Sequence, residues 1–63
     1  MPLAHLYILE GREEMQKKHL IEAVTTAISE ALDTRRESIR VLIQEIPKGH
    51  WGIGGQTAEE LRR

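Results

Sequence analysis

The sequence predicts an α+β domain: a β-α-β unit with two parallel strands, followed by a short C-terminal hairpin. Three stretches carry that expectation. Residues 2–9 (PLAHLYIL) are apolar on both pleat faces except at His5, residues 13–33 repeat apolar side chains at helical spacing, and residues 39–46 (IRVLIQEI) alternate as a second strand. A strand, a long helix and another strand in this order favour a parallel pair joined by a right-handed crossover.

Each element follows from its residues. Proline is tolerated at the first position of a strand, where its missing N–H costs little, so Pro2 can open the first strand. Strands apolar on both faces are typical of buried parallel sheets. Gly11 breaks the run. In the helix, Leu20, Ile21, Val24, Ala27, Ile28, Ala31 and Leu32 form an apolar stripe. Glu13 and Glu14 suit the positive end of the helix dipole. No glycine caps the far end, but Thr34 to Glu37 (TRRE) has the Thr-x-x-Glu form of a capping box and predicts a short extra turn. In the second strand Ile39, Val41 and Ile43 share one face, and Arg40, Leu42, Gln44 and Ile46 share the other. Pro47 stops it. Trp51 to Gly55 (WGIGG) is too rich in glycine for a helix and reads as a hairpin or bulged ribbon. The remaining QTAEELRR is polar, with Leu61 its one large apolar residue. Repeats, linkers and low-complexity segments are absent, so residues 1–63 read as a single domain.

Size and composition narrow the options. A domain of about 60 residues buries only about 60% of the surface its unfolded chain exposes, and this chain has 63 residues. Such chains usually need a staple. Cysteine is absent, and the three histidines (His5, His19, His50) have no paired ligand spacing, so neither disulfides nor a structural metal is expected. Two strands and one helix leave bare sheet edges and an uncovered face, which points to association of several copies. A net charge of −1 and only two aromatic residues, Tyr7 and Trp51, argue against a nucleic-acid partner. With no apolar run of membrane-spanning length and no signal-peptide pattern, no membrane partner is expected, and a soluble cytoplasmic protein is the expectation.

A few residues could carry chemistry. Methionine aminopeptidase generally removes Met before a small residue such as proline, which would leave Pro2 with a free secondary amine; with Met1 attached that nitrogen is an amide and no base. An exposed α-amino group titrates near about 8, and burial near Leu3, Leu6 and Ile8 would lower a proline amine toward working pH, as a general base requires. Arg40 is a charge within an otherwise apolar strand and calls for a partner. With Arg12 it offers guanidinium forks suited to a dianionic substrate. Taken singly, these features have plainer accounts: a proline at a chain start, arginines on a solvated surface. The glycines of GIGG do not make a nucleotide-binding loop and serve the backbone of a tight ribbon. Trp51 suits packing or a pocket wall. Ser29 and Ser38 lack the partners nucleophilic hydrolysis needs.

Taken together, Pro2 directly after Met1, ILEGR (Ile8 to Arg12), SIRVLIQEI (Ser38 to Ile46) and KGHWGIGG (Lys48 to Gly55) resemble the 4-oxalocrotonate tautomerase family across the whole chain. The resemblance implies a β-α-β subunit with a C-terminal hairpin, assembled as a homo-hexamer (a trimer of dimers) whose active sites draw on neighbouring subunits. It implies a cofactor-independent keto–enol tautomerase acting on a small dicarboxylate enol, 2-hydroxymuconate, to give 2-oxo-3-hexenedioate. Pro2 would be the general base. Arg40 of another subunit would lie near the C1 carboxylate and 2-oxygen, and Arg12 would hold the distal carboxylate. Trp51 would form the aromatic wall, and the Leu9 backbone N–H would assist the 2-oxygen through water. No metal or other cofactor is implied.

Two positions depart from the family pattern: Trp51 stands where phenylalanine is common, and Arg35 where proline is often found. HWGIGG contains no added acidic residue of the kind that activates water in haloacrylate dehalogenating members. Two other readings stay open at this point: a relative acting on a monoacid or biosynthetic enol, and a non-catalytic oligomeric module.

Overall fold

Strand β1 (Leu3–Leu9) runs directly into a turn at Gly11, helix α1 spans Glu14–Leu32, a 3-10 turn covers Arg36–Ser38, and β2 spans Arg40–Ile46 in a computed structural model that describes residues 1–63. A second 3-10 turn (Lys48–His50) leads to a small hairpin of β3 (Gly52–Ile53) and β4 (Gln56–Thr57). β1 and β2 pair in parallel, from Leu3 opposite Arg40 to Leu9 opposite Ile46.

The expected elements form where their patterns place them, and the ends show the local physics. Glu13 caps α1 through a reciprocal box with Gln16, the Glu13 N–H donating to Gln16 Oε1 at 3.1 Å. The far end closes without glycine. Asp33 takes the left-handed conformation (φ 51), the Thr34 N–H donates to the Ser29 carbonyl, and the Ser29 hydroxyl donates to the Thr34 carbonyl at 2.7 Å. That use of Thr34 corrects the capping box expected at TRRE. The extra turn exists, but its cap position is Arg35, whose side chain makes no cap bond, while the main chain of Thr34 closes the preceding helix. Arg36 ties this turn to the helix by donating to Thr26 Oγ1 at 2.8 Å.

The C-terminal region is more ordered than its polar composition predicts. The hairpin extends past Gly55 to Thr57, with Gly54 (φ 60) and Gly55 (φ 90) forming the left-handed two-residue turn that suits a tight hairpin. Ala58 is the most buried residue of the chain, and its N–H donates to the Trp51 carbonyl at 2.7 Å. Thr57 and Glu60 form a reciprocal cap: the Thr57 N–H and hydroxyl donate to Glu60 Oε1, and the Glu60 N–H donates to Thr57 Oγ1, each at 3.0 Å.

One face of the sheet carries Ala4, Leu6, Ile8, Val41 and Ile43, half-buried under Leu20, Val24 and Ile28 of α1. Lys17 of the helix bridges Glu45 of β2 at 2.9 Å and Glu14 at 2.7 Å. Those bonds, to Glu14 first, raise the Lys17 ammonium above its ordinary 10.5. The opposite face is bare. Leu3, Tyr7 and Leu42 there are 60%, 56% and 49% exposed, beside Arg40 and a stacked His5–Tyr7 pair whose rings lie 4.6 Å apart.

A single chain therefore closes almost no core. Only Ile39 and Ala58 are buried. Its extents are 42 × 24 × 14 Å and its radius of gyration is 14.5 Å, against about 11 Å for a closed domain of this length.

Candidate active site

The residues singled out from the sequence fall at opposite ends of the sheet. β1 is seven residues long, so at about 3.3 Å per residue its ends stand roughly 20 Å apart. Pro2 and Arg40 share the amino end. The Pro2 carbonyl accepts the Arg40 N–H at 3.0 Å, which fixes Pro2 against the first residue of β2. Pro2 follows the alternation of Ala4, Leu6 and Ile8, and like them is half-buried.

The charge within β2 has found neutral partners. Arg40 Nη1 donates to the carbonyls of Glu37 at 2.8 Å and Ile39 at 3.3 Å, so the 3-10 turn before β2 holds the guanidinium. Arg40 takes part in no ion pair; those of the chain are Lys17 with Glu14 and Glu45, and Arg35 with Glu37. Its positive charge stays available to an anion on the open face of the sheet.

Leu9, Arg12 and Trp51 belong to the carboxyl end. The Glu10 N–H donates to the Ile46 carbonyl at 3.1 Å. Backbone donors alternate sides along a strand, so the Leu9 N–H, one residue earlier, points to the unpaired edge of β1 and is free for another partner. Gly11, at φ +115, turns the chain from Glu10 into Arg12. Leu9 and Arg12 line one polar hollow of about 310 Å³. Trp51 is half-buried just before β3, its main chain held by Lys48 and Ala58.

Lys48 and Arg63 line that same hollow. Neither stood out in the sequence, because one lies in a turn and the other in a polar tail, and no spacing links them. A larger hollow of about 710 Å³ runs along the flank between Ile8 and the first half of α1, with Met15, His19, Leu20 and Ala23 on its wall. It contains Arg12 but neither Pro2 nor Arg40, and it marks where helix and strand edge leave a seam unfilled. His, Asp and Glu side chains nowhere gather in threes that could hold a metal ion. No helix is long and apolar enough to cross a membrane.

The family model described as "Tautomerase enzyme" matches residues 2–60. The chain belongs to the tautomerase family. It is accordingly a keto–enol tautomerase, an isomerase. The match starts at Pro2. A 2-hydroxymuconate tautomerase of Pseudomonas putida is 54% identical over 63 residues, covering all of both chains. Among solved structures, one from a study of 4-oxalocrotonate tautomerase isozymes of Methylibium petroleiphilum superposes with a TM-score of 0.96 at 48% identity, covering 98% of this chain and all of that one. A heterohexamer 4-oxalocrotonate tautomerase of Chloroflexus aurantiacus superposes with a TM-score of 0.94 at 40% identity, with the same coverage. These tautomerases share with this chain the β-α-β arrangement and its C-terminal hairpin.

Proposed function

We propose that this tautomerase converts 2-hydroxymuconate to 2-oxo-3-hexenedioate, with Pro2 as general base once Met1 is removed. The observation that carries the reading is the division of the site between the two ends of β1. One chain holds Pro2 and Arg40 at the amino end, and Leu9, Arg12 and Trp51 at the carboxyl end. Antiparallel pairing of two β1 edges would set the Pro2 end of one copy beside the Leu9–Arg12 end of the other. The free edge, with the Leu9 N–H on it, is available for such pairing. The bare face bearing Leu3, Tyr7 and Leu42 gives a second surface by which pairs could stack. The proposed assembly is a homo-hexamer, a trimer of dimers, and the heterohexamer among the neighbours supports the count of six chains.

The chemistry follows from the parts. The free Pro2 amine takes the proton of the 2-hydroxy group and the electrons shift along the diene. The C2=O and C3=C4 double bonds form, and the protonated amine returns a proton at C5. Negative charge develops toward the 2-oxygen, where the Arg40 guanidinium of another subunit and the Leu9 N–H, through water, stabilise it. Arg12 holds the distal carboxylate as a bidentate fork. Trp51 walls the pocket and keeps the amine poorly hydrated, which lowers its basicity toward neutral pH. The name of the 54% identical relative, a 2-hydroxymuconate tautomerase, supports the choice of substrate, and a cytoplasmic place in aromatic catabolism is part of the same proposal.

The test is a spectrophotometric assay of Met-free protein, verified by intact mass, with 2-hydroxymuconate. Pro2→Ala is expected to lose about 10²–10⁴ in kcat, the usual worth of a positioned base. Full turnover by Pro2→Ala would remove the proline base. Sedimentation is expected to give six chains, and a monomer at micromolar concentration would end the shared-site reading.

A further inference from the structure

We infer that Lys48 and Arg63 join Arg12 in a three-cation cradle that grips the distal carboxylate and makes the enzyme selective for dianions; this rests on the proposed site. The hollow at the carboxyl end brings the three together, with Leu9 its only large apolar wall. Glu10 is its single acidic side chain, so three cationic side chains face one acidic one there, in a chain whose net charge is −1.

None of the three is neutralised. The ion pairs of the chain use Lys17 and Arg35. Side-chain hydrogen bonds from the arginines come from Arg36 and Arg40, and from the lysines only from Lys17. Like charges gathered around one cavity repel one another until an anion enters, and guanidinium and ammonium groups are the natural partners of carboxylate oxygens.

The scaffold holds both newcomers in place through the main chain. The Lys48 carbonyl accepts the Glu59 N–H at 3.2 Å, and the Arg63 N–H donates to the Ala58 carbonyl at 2.9 Å. The 3-10 turn before the hairpin and the turn after it thus deliver two cations from distant parts of the sequence to the end of β1 where Arg12 stands. A monocarboxylate enol would bring no group to the cradle and would leave its repulsion unrelieved.

The experiment compares Lys48→Ala and Arg63→Ala, singly and together, with Lys18→Ala, which removes the same charge from the exposed surface of α1. Steady-state constants are measured for the dicarboxylate dienol and for a monocarboxylate dienol lacking the distal group. Each cradle variant is expected to raise KM for the diacid about threefold to fivefold, the worth of one exposed charge contact. The loss falls on KM rather than kcat, and KM for the monoacid does not move. Added salt should erode the advantage of the diacid. Equal effects on both acids, or an equal effect of Lys18→Ala, would overturn the cradle while the tautomerase reading stands. Calorimetric binding of adipate and hexanoate separates the two questions, because it needs no turnover. Preference for adipate that is lost in the double variant supports the cradle even in an enzyme that ignores 2-hydroxymuconate. No preference in the unaltered protein overturns it.

Discussion

At the amino end of the sheet every polar group of interest is already tied down: the Pro2 carbonyl takes the Arg40 N–H, and the Arg40 guanidinium donates to the Glu37 and Ile39 carbonyls. At the carboxyl end Arg12, Lys48 and Arg63 stand around a hollow with their charges unpaired. The difference teaches how a 63-residue chain can divide its work. The tied end suits the group that must be placed accurately, the base. The unpaired end suits recognition, where charge and reach matter more than a fixed angle. Neither end is a site alone, and roughly 20 Å of strand separates them.

The sharpest way to break the contrast is to acylate the amino end. Protein that retains Met1 keeps the fold but has an amide at Pro2, and it is expected to lose about 10²–10⁴ in kcat. Turnover is plotted against the processed fraction from intact mass, and activity that does not follow that fraction removes the amino end from the chemistry. The next largest effects should differ in kind between the ends. Arg40→Ala removes a cation from developing charge and is expected to cost about 10²–10³ in kcat. Arg12→Ala removes a ground-state grip and is expected to raise KM roughly tenfold. The same kcat-to-KM split for both variants would erase the division.

A smaller effect tests how the carboxyl end is aimed. Gly11 adopts φ +115, and a Cβ added there meets nothing within 4 Å. Gly11→Ala therefore adds backbone strain without a clash, expected at about 1–2 kcal/mol. Thermal unfolding should register that loss, with KM for the diacid rising as Arg12 shifts and the amino end unaffected. An unchanged melting temperature would mean that the turn relaxes and that Gly11 does not position Arg12.

Much of this was legible in the residues, and the limits have physical causes. β1, α1 and β2 were readable because their apolar spacings of 2 and 3.6 are set by burial on one face of each element. The two Thr-x-x-Glu stretches show where local reading fails. Thr34 to Glu37 has the form of a cap, yet Thr34 is bonded to Ser29 at the end of the preceding helix. Thr57 to Glu60, in what reads as a polar tail, forms the reciprocal cap. Identical signals are resolved by which groups are left over nearby, here the Ser29 carbonyl and hydroxyl at the end of α1. The buried Ala58 escaped for a similar reason: one small residue has no period. Of the site, the residue types were legible and their separation along the sheet followed once the register was known. Lys48 and Arg63 were not, since Lys48 meets Arg12 only through the parallel pairing of β1 with β2, and Arg63 only through the hairpin and the turn after it.

The smallest expected effect concerns the cap that orders the last turn, and with it the position of Arg63. The Thr57 N–H, then its hydroxyl, donate to the Glu60 carboxylate and hold it below its ordinary 4.5. A carboxyl lowered on folding contributes stability that is fully present above its unfolded value and is lost as pH falls through the folded one. The last turn should therefore loosen only below about pH 4.5, while α1 and the sheet persist. Amide exchange or NMR shifts at Thr57 and Glu60 would follow it. Glu60→Gln removes the charge but keeps an acceptor, so it should abolish the acid step in those signals and slightly weaken diacid binding at neutral pH. An acid step that survives in Glu60→Gln would assign it elsewhere and leave the placement of Arg63 to the hairpin alone.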